Sequence, residues 1–434
     1  MTRSFFGFSK PCFEYELLTD TLPVPEEIAA PATVTLLLPE ALEKLDSGLI
    51  KIGDKVKTGQ KLVLHEKSGA CVISSVTGTI SSITPFIGDF SKIFTAIAID
   101  VDQEEIIDQQ FEGLCQEPTL ETLKNFFSFV PGAPPLKDLC DSANPPKSII
   151  IYGGDTDLLI STNLYYVKAD IKAIKAGIKI LKQTTGIENI ILAMPGESLQ
   201  GYGHLGASVK NVSSVYPFGS PNLITQKILK QVVPAGKDPM DLGICFIRAE
   251  AVAAIGNAFT NGCLPVNKIL TLVDKTGKQK LMSVRIGTPL KEIFNHYNIN
   301  LNDRDRLIIG GPMTGSAVYS EDFPVQPDTD AVMVQDAADI SHTSDYPCIN
   351  CGDCIRICPA KIQVSMLVRL LEAELYEEAA DEYDLMSCID CGLCSYVCVA
   401  KIPVFQYIRL AKYELAKAAL EEAENQEQEE ETNE

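Results

Sequence analysis

Two short stretches carry the clearest chemistry in the sequence: CINCGDCIRICP at residues 348–359 and CIDCGLCSYVC at residues 388–398. Each spaces its cysteines by two, two and three intervening residues. The first run holds Cys348, Cys351, Cys354 and Cys358, and the second holds Cys388, Cys391, Cys394 and Cys398. A tight loop at this spacing wraps three thiolates around one face of an iron–sulfur cube. The fourth thiolate comes from elsewhere, and in two-cluster ferredoxins it serves the other cluster. The expected sets are therefore Cys348, Cys351, Cys354 and Cys398 on one [4Fe–4S] cluster, and Cys388, Cys391, Cys394 and Cys358 on the second. Structural zinc prefers paired CxxC units divided by a longer spacer, which fits this pattern poorly. Metal thiolates also point to a reducing compartment. Gly352 and Gly392 follow the second cysteine of each run, where a small residue lets the loop fold back on sulfur.

The elements around the cysteines repeat as well. CPAKIQVSMLVRLLEAEL and CVAKIPVFQYIRLAKYEL align at an offset of forty residues. Apolar spacing at Val364, Leu367, Leu370, Leu371 and Leu375, and at Val404, Ile408, Ala411 and Leu415, predicts a helix after each loop. The module is expected to be helical rather than the small β-rich kind, over residues 341–420. Lys361 and Lys401 are expected to face solvent. Residues 421–434 are acidic and lack apolar periodicity, so they read as a frayed, disordered tail.

Upstream, residues 1–100 read as a β-rich barrel-sandwich hammerhead, with Gly53, Gly59, Gly69 and Gly78 punctuating short strands. Lys67 stands near the place of the modified lysine in carrier domains, but LHEKSG lacks the flanking residues of a swinging arm. Residues 101–146, acidic and then broken by proline, read as a connector. Residues 147–267 alternate apolar strands with helical segments, the rhythm of a parallel sheet covered on both faces. Ligands in such sheets sit at the carboxyl ends of strands, here YGGDTD at 152–157 and MPGES at 194–198. The Gly153 and Gly154 amides are candidates for a phosphate and Asp155 or Asp157 for a hydroxyl; the alternative is a tight turn with an aspartate capping the next helix. Residues 268–340 read as a compact strand, turn, strand, helix and strand piece, with Thr288 capping the helix, His296 on its surface, and GGPMTG as a rigid turn able to approach a partner.

Composition sets outer limits. A net charge of −21 argues against nucleic acid as a ligand. No apolar run reaches the roughly eighteen residues of a membrane-spanning helix, and the opening MTRSFFGFSKPCFEYELL does not read as a secretory signal. A cytoplasmic location is expected, with peripheral attachment to the inner face of the cell membrane left open.

The order of parts, together with GDKVKTGQ, VTGTI, VYPFGS, VPAGKDPMDLG, VRIGTP, IIGGPMTG and both cysteine runs, resembles the RnfC family over most of the chain. The resemblance implies a multidomain α/β protein. It would comprise a hammerhead, an α/β domain similar to the NADH- and FMN-binding subunit of respiratory complex I, a β-grasp domain of the SLBB type, and a helical dicluster module. It also implies FMN and NAD(H) as cofactors beside the two clusters, with Gly132, Gly153, Gly154 and Asp155 as the matching pocket positions. The sequence departs from the family there. The family's glycine-rich loop into the α/β domain is represented by FVPGAPPLKDL, and proline removes amides and fixes φ where an anion cradle needs both free.

The expected function is accordingly an electron-transfer subunit. It relays electrons through two [4Fe–4S] clusters between protein partners in an anaerobic redox complex, with nucleotide and flavin binding weakened or lost. The alternative is an NADH- and FMN-dependent oxidoreductase subunit exchanging electrons between NAD and ferredoxin or a partner enzyme. No catalytic residue is assigned. Partners are expected to be a ferredoxin, a flavoprotein, a reductase or a membrane redox complex, in a hetero-oligomer.

Overall fold

A computed structural model describes residues 10–18, 22–42, 49–66, 68–88, 92–196, 202–203, 205–344 and 346–433. Lys67 lies outside the described residues. The chain separates into two compact units. The larger comprises Glu14–Gln231 and Pro239–Ala338; the smaller comprises Asp339–Glu434, Val232–Asp238 and the segment ending at Phe13.

The larger unit begins with alternating strands. Thr33–Leu38 pairs antiparallel with Ile93–Val101, which pairs with Gly78–Ile87, and Lys55–Val56 closes the edge. Period-two alternation places Val34, Leu36 and Leu38 on the same buried face, opposite Ile97 and Ile99. A second small sheet, Lys61–Leu62 with Val72–Ile73, completes the barrel-like sandwich.

The next sheet is wholly parallel, ordered Ser208–Val212, Ile190–Pro195, Ser148–Tyr152, Ile244–Arg248. Ser148–Tyr152, Ile190–Pro195 and Ile244–Arg248 are buried on both faces, which is why they are apolar runs, whereas the edge strand Ser208–Val212 is polar and largely exposed. Ile149 and Ile151 meet the core beneath helices Ile171–Thr185 and Ala249–Asn261, while Ile150 and Tyr152 pack with Ile224 of helix Pro221–Leu229. The strand order reverses between Ser148–Tyr152 and Ile244–Arg248. That is the switch point at which open α/β sheets bind ligands.

Helices Ile171–Thr185 and Ala249–Asn261 touch backbone to backbone. A Cβ on Gly177 would lie 2.0 Å from the Val252 carbonyl oxygen, and one on Gly256 would lie 2.0 Å from that of Ala173. Asn257 Nδ2 donates to Asp170 Oδ2 at 2.8 Å, tying one helix to the N-cap of the other.

Residues 101–146 differ from a loose connector. Phe111, Phe126 and Phe127 form an aromatic cluster with Phe259, with Phe127 and Phe259 stacked at 5.6 Å. Helix Leu120–Phe126 is capped by Thr119, whose side chain accepts from the Thr122 N–H. The acidic surface and the prolines obscured this apolar pattern in the sequence.

The third sheet is ordered Glu26–Glu27, Gln279–Arg285, Asn267–Val273, Ala331–Gln335, Arg306–Ile309, Ser316–Val318. A hairpin, then helix Leu290–His296, then a last strand parallel to the first of the hairpin is β-grasp topology. Pro289, not Thr288, occupies the helix N-cap, and no side chain caps it. Thr288 is instead buried, with its carbonyl accepting from the Val325 N–H. His296 does sit at the partly exposed helix end, against Glu26 at 2.9 Å.

In the smaller unit, helix Val404–Asn433 continues through the acidic stretch read as a frayed tail. Its alanine, glutamate and glutamine are good helix formers, so helix needs no apolar face there.

Substituting Ala for Gly177 or Gly256 forces the two helices apart. We expect each variant to lose about 1–3 kcal/mol, read as a lower urea midpoint with an unchanged slope for the unfolding of the larger unit.

Candidate metal centre

The cysteine loops repeat in the backbone as they do in sequence. Asn350 and Asp390 have φ of 57° and 54°, Gly352 and Gly392 of 72° and 69°, and Lys361 and Lys401 of 61° and 59°. Each left-handed residue thus has its counterpart forty positions on. Glycine, asparagine and aspartate adopt this region most readily. The turns at Asn350–Gly352 and Asp390–Gly392 bend each loop around its first three cysteines. The short helices Asp353–Ile357 and Leu393–Val397 follow, carrying Cys354 and Cys394. After Lys361 and Lys401, both exposed, the chain enters helices Val364–Glu372 and Val404–Asn433. Val364, Leu367, Val368 and Leu371 pack against Val404, Ile408 and Ala411.

This packing gathers the eight cysteines into two groups. Cys348, Cys351, Cys354 and Cys398 line one void of about 380 Å³, its mouth included. Cys358, Cys388, Cys391 and Cys394 line a second of about 340 Å³. In each, three thiols come from one loop and the fourth from the other. Among the described residues no three Cys, His, Asp or Glu side chains converge as a single metal ion requires. The sulfurs instead surround a space with apolar walls, including Val368 and Ile402 in the first and Ile362 and Ile408 in the second. All-thiol donor sets around a void fit a polynuclear cluster better than an ion at the centre of a tetrahedron.

Backbone amides complete the cradle. The backbone N–H groups of Ile355, Asp390, Leu393 and Ser395 favour the thiolate forms of Cys354, Cys388, Cys391 and Cys394. Burial pushes the Cys354 and Cys391 thiols up to about 11 and Cys388 to about 12, and raises Cys394 further. Without metal these thiols keep their protons at neutral pH, so cluster assembly must release them. The segment Val232–Asp238 belongs to this unit, with the Gly236 N–H donating to the Met386 carbonyl just before Cys388. Its PAG turn was the only sequence signal of that placement, and nothing in it names a distant contact.

The nucleotide-pocket candidates are used differently. Asp155 is buried and accepts from the Asn163 N–H at 2.9 Å and the Leu164 N–H at 3.4 Å, at the start of helix Thr162–Ala169. This is the capping role weighed against hydroxyl binding. Asp157 accepts from the Met313 and Thr314 N–H groups and from Thr314 Oγ1 at 2.7 Å, so GGPMTG is pinned to the chain's own carboxylate. A Cβ at Gly132 would lie 2.4 Å from Ala251 N, so its loop is packed against the first turn of Ala249–Asn261. Gly153 faces Val167 and Met194, and Gly154 faces the Tyr152 ring and Pro195. The Tyr152 hydroxyl donates to the Asp155 carbonyl, and the Gly219 N–H donates to the Tyr15 hydroxyl at 3.0 Å.

A charge network that sequence reading did not find fills the switch point. Arg248, ending its strand, places Nη1 2.9 Å from both Asp330 carboxylate oxygens. Fully buried Lys268 pairs with fully buried Glu250 and lies 3.4 Å from Asp330 Oδ1. The lone signal was a lysine inside the apolar strand segment NKILTLV. Burial raises the Glu250 carboxyl despite Lys268, and burial raises Asp155 to about 6.

Residues 340–399 match the 4Fe-4S dicluster domain family, and residues 14–104 match the RnfC barrel sandwich hybrid domain. The C component of the proton-translocating ferredoxin:NAD(+) oxidoreductase complex of Clostridium ljungdahlii is 25% identical over 396 residues, covering 84% of this chain and 82% of that protein. The C component of the ion-translocating oxidoreductase complex of Buchnera aphidicola is 23% identical, covering 75% of this chain and 71% of that one. The corresponding Vibrio cholerae protein is 26% identical over 83% of this chain, which spans only 49% of that longer relative. Among solved structures, an NAD+-reducing [NiFe]-hydrogenase chain overlays with a TM-score of 0.46 at 12% identity, covering 70% of this chain and 65% of that one.

Because the Asp155 carboxyl is raised from 3.8 to about 6 in the fold, its contribution to stability is complete below about pH 4 and is lost as pH rises through 6. Asp155→Asn keeps a capping side chain without the charge. We expect it to match the natural chain at pH 4 and to gain about 1–3 kcal/mol over it at pH 7, measured by denaturant unfolding across that range.

Proposed function

The chain belongs to the RnfC family, and from that premise we propose that it is an electron-relay subunit of an anaerobic redox complex, passing electrons between protein partners through two [4Fe–4S] clusters. The grouping of eight thiols into two complementary sets carries this reading. In it Cys348, Cys351, Cys354 and Cys398 hold one cluster, and Cys358, Cys388, Cys391 and Cys394 hold the other. When bound, the clusters supply one-electron transfer. The chain's own part is to ligate, to favour thiolate with backbone N–H groups, and to enclose both sites in one helical module.

The same reading takes flavin and nucleotide binding as weakened or lost. Three uses of the switch point support it: Asp155 caps a helix, the Gly132 loop packs on Ala251, and the Arg248–Asp330–Lys268–Glu250 network occupies the strand ends. A dinucleotide would have to displace paired, buried charges, which is costly. The domain division at residues 100, 267 and 340 belongs to this reading. So does a hetero-oligomer with a ferredoxin, flavoprotein, reductase or membrane redox complex, the last consistent with relatives named as subunits of ion-translocating complexes. Among the described residues no helix is long and apolar enough to cross a membrane. Attachment to a membrane complex would therefore be peripheral for those residues.

Anaerobically prepared full-length protein should hold about eight irons and eight sulfides per chain and no stoichiometric flavin. Paired substitutions test the ligand sets. Cys348→Ser with Cys398→Ser strikes one cluster and should leave about four irons, whereas Cys348→Ser with Cys358→Ser strikes both and should leave almost none. The reverse result would overturn the exchange of ligands. Flavin near one per chain, bleached by NADH, would favour an NADH- and FMN-dependent subunit.

A further inference from the structure

The two halves of the dicluster module match so closely that their mismatches stand out. Ser365 is buried and lines the void of Cys348, Cys351, Cys354 and Cys398. Its hydroxyl bonds to no other described residue. The counterpart forty residues on is Phe405, which lines the other void. Solvent access differs in the same sense. None of the first four cysteines is buried and Cys351 is exposed, whereas Cys358 and Cys394 of the second set are buried. The third mismatch pairs Asn350 with Asp390. The charge of Asp390 is met by Lys412, whose Nζ lies 2.7 Å from its carboxylate and 2.7 Å from the Cys388 carbonyl.

A cluster bound by four thiolates becomes more negative on reduction. A hydroxyl donor and nearby water stabilise that added charge, and apolar walls do not. We infer that the two clusters differ in potential, the one held by Cys348, Cys351, Cys354 and Cys398 being the higher, and that Ser365 against Phe405 sets the order. The inference rests on the two-cluster reading above. An electron entering the module then settles on the cluster nearer the surface. Ser365 acts on potential alone and takes no part in ligation.

The test is an anaerobic potentiometric titration of the full-length, cluster-loaded protein, followed by electron paramagnetic resonance, with iron counted in every sample. The natural chain should show two separate one-electron waves. Ser365→Ala should lower the upper wave and leave the lower unmoved, Ser365→Thr should restore the upper wave, and Phe405→Ser should raise the lower. A single unresolved wave in the natural chain, or a Ser365→Ala sample whose upper wave does not fall while iron stays at about eight per chain, overturns the inference and leaves the two-cluster reading standing. A natural chain that never exceeds about four irons sinks the two-cluster reading itself.

Discussion

Neither half of the dicluster module can be finished without the other. Three thiols of each set lie within a dozen residues of one another, but Cys398 belongs with the first loop and Cys358 with the second. That exchange requires the two helices after the loops to lie side by side, and their apolar faces supply the contact. Packing of the helices and geometry of the thiols are therefore one constraint. Val364 and Val404, in the buried cluster that the two helices share, each line one of the voids.

The larger unit is governed by a different economy. Its parallel sheet has the order and the switch point of a ligand-binding fold, yet the strand ends there are spent on internal bonds. Arg248, Lys268, Glu250 and Asp330 are paired with one another, and Asp155 and Asp157 hold backbone amides. Removing one member would strand a charge away from water. These residues join the α/β sheet to the β-grasp segment: Arg248 ends a strand of the first and Glu250 opens the helix after it, while Lys268 lies within a strand of the second and Asp330 precedes another.

What could be read beforehand follows from which forces are local. The cysteine loops and their helices were legible because spacing, glycine and apolar period all act within a few turns of chain. The parallel sheet was legible from its unbroken apolar runs. The charge network was not, because Lys268 inside NKILTLV hints at burial but names no partner, and Glu250 and Asp330 reach it only through sheet order. Residues 101–146 were misread for the opposite reason: proline and acid mark the surface, while Phe111, Phe126 and Phe127 face inward. The helix through 421–433 escaped a periodicity search, because backbone propensity rather than an apolar stripe sustains it.

The forty-residue repeat with matched left-handed residues at 350 and 390, 352 and 392, and 361 and 401 bears on ancestry. One copy alone places three cysteines at its own void and sends the fourth to the other, so neither copy completes a set by itself, whereas two copies complete both. Duplication and fusion of a self-pairing unit would yield this arrangement directly, and Ser365 and Phe405 are a position at which the two copies now differ.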